Sequence, residues 1–110
     1  MLGISQLVNR WLGAGRVAEM AERVAGRSRM QVWQRVAAAL PELGAAEGRG
    51  YLRARAIGVV REETARLAEQ EGASVARFQS QIEAAALDLL VKSISEQLQV
   101  RRLVGVRRAA

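Results

Sequence analysis

The chain has no cysteine and no histidine. Without cysteine there is no disulfide framework, no thiolate metal site and no cysteine nucleophile. Without histidine the commonest general base and the commonest metal ligand are both missing. Aromatic residues are few, two Trp, one Tyr and one Phe, which leaves no stacking platform for single-stranded RNA. There is one proline. No apolar run approaches the roughly 20 residues that span a bilayer. No basic segment precedes an apolar stretch at the N-terminus, so a secretory signal is not expected. Position 2 is Leu2 rather than glycine, and no C-terminal lipidation box is present. These features, with the absence of cysteine, fit a cytoplasmic setting.

What is abundant is Ala, Leu, Val, Arg and Glu, residues that mostly enter helices at little cost. At 110 residues the expectation is one domain with a modest core. The net charge is +6, and it is uneven. Residues 1–61 hold ten Arg against four Glu, residues 62–100 hold three basic and seven acidic groups, and the end from Arg101 adds four Arg and no acid. A basic end attracts nucleic acid or an anionic surface, although an Arg excess also solvates ordinary helix faces.

The stretch Val75 to Val100 is the centre of the pattern. At about 100° per residue, Phe78, Ile82, Ala85 and Leu89 share one arc, and Leu87, Val91, Ile94 and Leu98 share another. Ser74, Arg77, Gln81, Asp88, Lys92, Ser95 and Gln99 form a water-facing stripe. A helix with two apolar arcs is the middle of a core or a surface for a partner.

Upstream, Ile4, Leu7, Val8, Trp11 and Leu12 recur at helical spacing. Gly13 and Gly15 are expected to break or bend that helix. Val17, Met20, Ala21, Val24 and Ala25 then continue to a stop at Gly26-Arg27. Ser28 to Gln31 has the capping-box spacing ahead of Trp33, Val36, Ala37 and Leu40, and Pro41 closes that helix. From Ala45 to Glu71 no breaker is strong enough to stop a long helix. Leu52, Ala56, Val59, Val60 and Leu67 form its apolar arc. Ala46, Gly50, Ala54 and Gly58, four apart, form a ridge of small residues that would let another helix approach closely. Gly72 is the hinge into the last helix.

The expected fold is therefore all-α: a small helical bundle built on a long antiparallel hairpin, about 45–71 and 73–100. Shorter helices over 4–44 pack on it or on a neighbour. Residues 1–100 form the single domain, and 101–110 a basic C-terminal tail in which Gly105 and the terminus disfavour order.

Few constellations point to chemistry. Gly13-Ala14-Gly15-Arg16-Val17-Ala18 matches the dinucleotide pattern G-x-G-x-x-A, but that chemistry needs a buried strand before the first glycine and an acid about 20 residues on. The preceding residues are amphipathic at helical spacing instead. The pairs Glu62-Glu63 and Glu69 with Glu71 diverge around a helix and make no shared acid–base site. Glu63, Glu83 and Glu96 interrupt or border apolar arcs; inward Glu residues can bind two metals, but that class pairs Glu with His. Pairing with Arg on a neighbouring helix is the simpler role. Ser93 and Ser95 near Lys92 lack an oxyanion turn. No enzyme activity, cofactor or metal is implied.

The expected function is that of a non-enzymatic interaction or assembly protein that self-associates through apolar faces of its long helices. Phe78, Ile82, Leu87, Leu89, Ile94 and Leu98 supply core and interface, and Gly50, Ala54 and Gly58 permit close approach. Two alternatives follow from other features. Arg101, Arg102, Arg107 and Arg108, with the N-terminal Arg set, would contact phosphates in a small basic nucleic-acid-associated protein. Residues 1–12 would lie in a membrane interface through Leu7 and Trp11, or Leu103, Val104 and Val106 would dock the tail on a protein partner.

Overall fold

The computed structural model describes the backbone of residues 2–109 and the side chains of residues 14–104. Helix α1 covers Leu2–Val36, a 3-10 turn covers Leu40–Glu42, α2 covers Ala45–Glu71, the single turn α3 covers Ala73–Ala76, and α4 covers Gln79–Ala109. No strand occurs among the described residues. The chain is all-α.

α2 begins and ends where its sequence pattern does. Gly44 stands before it in extended conformation and Gly72 after it. Its apolar arc, Leu52, Ala56, Val59, Val60 and Leu67, is buried. Gly48 joins that inner face against Leu40 and Leu43. Thr64 is also buried, and its hydroxyl donates to the Val60 carbonyl at 2.7 Å. That bond lets a polar side chain sit in the core without an orphaned group.

The expectation of several short helices before residue 44 is overturned. α1 is continuous across Gly13, Gly15 and Gly26. A helical glycine costs about 1 kcal/mol and lacks the steric block of proline, so packing can carry a helix through it. Ser28 is not a cap: it lies within the helix, fully buried, and its Oγ has no hydrogen-bond partner. The helix stops at Val36, four residues before Leu40, and Pro41 sits in the first turn of the 3-10 segment. An unpartnered buried hydroxyl costs about 1–3 kcal/mol, and Ala is the better helix former. Ser28→Ala should therefore raise stability by about 1 kcal/mol. A urea melt showing a loss of stability would mean that the hydroxyl has a partner in solution.

Nor is the last helix continuous from residue 73. Val75 is buried, the chain turns at Arg77 and Phe78, and α4 starts at Gln79. At its other end α4 runs on to Ala109, through the segment read from the sequence as a basic tail.

Three long helices pack on one another pairwise. α2 is antiparallel to both neighbours: Arg53 meets Asp88 at 3.1 Å, and Glu71 meets Arg16 at 3.7 Å and Arg23 at 3.4 Å. α1 and α4 run parallel, because Arg29 reaches Ser93 and Gln97 while Trp33, one turn on, reaches Arg101. The anticipated α2–α4 hairpin is thus one face of a three-helix bundle. Buried Met20, Ala21, Val24, Val32 and Val36 of α1 complete its core with Ile82, Ala86, Leu90 and Ile94 of α4.

The bundle is staggered. Ala18, Ala21 and Glu22 lie beside Ala85 and Leu89, so α1 is already well under way where α4 begins. At the other end α4 runs on past Val36, where α1 stops. The long dimension is 65 Å, well beyond the roughly 40 Å of α2 at about 1.5 Å per residue.

Candidate functional site

Both apolar arcs of α4 are covered within the chain. Ile82, Leu87 and Ile94 are buried, and Phe78 and Leu98 are half-buried against the core. Leu89 is the exception, 39 % exposed at the rim of the α1–α4 groove. The small-residue ridge lies elsewhere: Ala46, Gly50, Ala54 and Gly58 are all exposed on the outer face of α2. Nothing comes within 4 Å of a Cβ built on Gly50 or Gly58. Packing inside the chain therefore makes no use of that ridge. Between α1 and α4, Ala21 and Ala86 are fully buried, and Ala18, Ala21 and Ala85 line a shallow groove.

Glu63 is half-buried and accepts from Arg66 one turn later at 3.0 Å. Glu83 is half-buried and Glu96 exposed. No group of three acids converges to hold a metal among the described residues. The G-x-G-x-x-A stretch lies inside α1, where its amides are taken up in the helix and form no phosphate-binding turn.

The basic candidates gather at one end. Arg101 stacks over the Trp33 ring at 4.8 Å from its centre, and Arg102 donates to the Leu43 carbonyl at 3.4 Å. Arg102 also lines a groove with Leu40, Leu43, Gly48, Leu52 and Leu98. The side chains of Arg107 and Arg108 lie outside the described residues. Folding concentrates the charge that the sequence spreads in blocks. Among the residues with described side chains, the half of the bundle around the α1–α2 connection, residues 24–58 and 89–104, holds nine basic residues and three Glu. The opposite half, residues 14–23 and 59–88, holds five basic and eight acidic residues. The molecule is electrically polar along its long axis.

At that basic end a patch appears that helix faces alone did not single out. Val100 is 59 % exposed, Leu103 62 % and Val104 45 %. Val100 and Val104 continue the line Ala86, Leu90, Ser93, Gln97, with alternating steps of four and three residues, and Leu103 flanks it. Such a line is a continuous seam on a helix. Its first part is occupied: Ala86 and Leu90 are buried, and Ser93 and Gln97 accept from Arg29 of α1. At Val100 and Val104, beside and past the last turn of α1, whose Trp33 still reaches Arg101, the seam is exposed. The spacing was present in the sequence; what it lacked was the level at which α1 stops.

No helix is long and apolar enough to cross a membrane among the described residues. Compared with known proteins, the chain matches no family model, no curated protein and no solved structure.

Proposed function

We propose that this chain is a non-enzymatic helical assembly protein whose partner is another copy of itself. The observation that carries the reading is the exposed apolar set Val100, Leu103 and Val104, two of which continue a seam of α4 that already packs a helix. Large apolar side chains scattered singly on a surface are ordinary; a contiguous set in register with a packed seam is a binding surface. The two apolar arcs of α4 serve the fold, and self-association uses what the fold leaves uncovered.

Absolute mass by light scattering after size exclusion, at low and high salt and over a range of protein concentration, is the test. The expected result is a species heavier than the 12.0 kDa chain that persists at both salts, since apolar contacts are not screened as charges are. A monomer throughout would sink the proposal. The nine-to-three charge excess of the basic half would then favour the alternative of an anionic partner such as nucleic acid.

A further inference from the structure

We infer that the groove between the start of α2 and the far part of α4 binds a small carboxylate that carries one apolar group. The site goes beyond the self-association proposed above and does not depend on it.

Three elements build the groove. The 3-10 turn, the start of α2 and residues 95–102 of α4 enclose a space of about 210 Å³. Its floor is apolar: Leu40, Gly48 and Leu52 are buried, and Leu43 and Leu98 are half-buried beside them. Glycine at position 48 keeps that floor deep. A Cβ built there meets Leu40 Cδ2 at 3.6 Å and Leu43 Cβ at 4.0 Å. Those are ordinary contacts, so a small side chain would be tolerated and would fill part of the groove.

The rim is polar and of one sign. Arg49 comes from α2 and Arg102 from α4, with Ser95 and Gln99 alongside. The three acids of this half, Glu42, Glu47 and Glu96, do not line it. Neither arginine forms an ion pair among the described residues. A guanidinium has five N–H donors. Arg102 directs one of them to the Leu43 carbonyl at 3.4 Å, the long end of hydrogen-bond range.

These features select the ligand. Two guanidinium groups from different helices, with no acid between them, favour an anion, and a carboxylate can accept two parallel bonds from one of them. The apolar floor favours a hydrocarbon body on that anion. Volume limits its size. A cavity of about 150 Å³ lined by aliphatic and aromatic groups holds benzene, so this groove takes one ring or a chain of similar bulk. A phosphodiester of nucleic acid would satisfy the rim alone and leave the floor in water.

The groove is also separate from the apolar patch. At about 100° per residue, Ser95, Leu98, Gln99 and Arg102 lie about half a turn around α4 from Val100 and Val104. A second copy seated on the patch leaves the groove accessible, so the two proposals stand or fall separately.

Titration of the isotope-labelled chain with phenylpropionate, followed by amide chemical shifts, is the test. Saturable shifts are expected at Gly44, Gly48, Gln99 and Arg102. The dissociation constant should lie below about 1 mM, the range open to a ligand of about ten heavy atoms. Phenylpropionamide, which keeps the shape and loses the charge, should bind at least tenfold more weakly. Acetate, which keeps the charge and loses the ring, should do the same. Arg49→Gln and Arg102→Gln change exposed positions, so circular dichroism should match the parent chain while each weakens binding at least fivefold. Gly48→Ala should weaken it at least threefold without lowering the Tm.

Equal affinity for the acid and its amide would overturn the role of the arginines and with it the proposal. Equal affinity for the acid and acetate would reduce the site to ion pairing at exposed arginine and overturn it as well. So would shifts that map away from the groove, or no saturation up to about 10 mM. If one glutamine variant loses helicity, the other and the three-ligand comparison on the parent chain decide.

Discussion

Ile94→Ala should lower the stability of the chain by about 2–5 kcal/mol, the usual cost of emptying a fully buried aliphatic site. Ile94 has no exposed surface and sits in the common core with Leu90, Val36 and Val32. Against a total of about 5–15 kcal/mol for an ordinary domain, that loss threatens folding at physiological temperature. The effect belongs to the single chain. Measured by urea melts at concentrations low enough for a monomer, it should be undiminished, because α1 and α2 supply the packing without help from a partner. Leu89→Ala, five residues earlier and 39 % exposed, should cost under about 1 kcal/mol. If instead Ile94→Ala left the monomer's melt unchanged and altered only its self-association, α4 would have to face another chain along its centre.

That contrast shows where the sequence was informative. Residues on the two arcs of α4 were identifiable because a 3.6-residue period sorts them whatever the tertiary structure. α2 was legible to its ends because Gly44 and Gly72 flank a run with no competing breaker. Periodicity names the faces of a helix but not what covers them. Both arcs of α4 invited a partner chain until α1 proved to be 35 residues long and continuous. The local signals over residues 13–31, three glycines and a serine at capping distance from a glutamine, each amount to about 1 kcal/mol. They were outweighed by the seam from Ala18 to Val32, whose burial acts over the whole length of the helix. Gly50, Ala54 and Gly58 illustrate the converse. Their spacing would suit a close helix crossing, yet the chain turns that face to solvent. The bare seam at Val100 and Val104 required the stagger of two helices far apart in sequence, which no local pattern encodes.

Gly72→Ala should destabilise the chain by about 1–3 kcal/mol, although no atom lies within 4 Å of a Cβ added there. The cost is in the backbone. Gly72 has φ +84° and ψ −160°, a region that side chains other than glycine scarcely enter. That conformation lets its N–H close the end of α2 on the Ala68 carbonyl at 2.9 Å. Its own carbonyl accepts from Val75 and Ala76, both at 3.1 Å, to open α3. The same residue ends one helix, starts the next turn and directs Val75 into the core. A residue forced to negative φ would have to surrender one of those bonds or displace Val75. Gly58 provides the internal control, being equally open to solvent but helical. There an alanine relieves the conformational cost of glycine and should stabilise by about 1 kcal/mol. One chemical change, an added methyl group facing water, is thus expected to act in opposite directions at the two sites. Equal shifts of both melts would show that the turn at Gly72 relaxes to an ordinary conformation in solution, and that α2 and α4 are joined without strain.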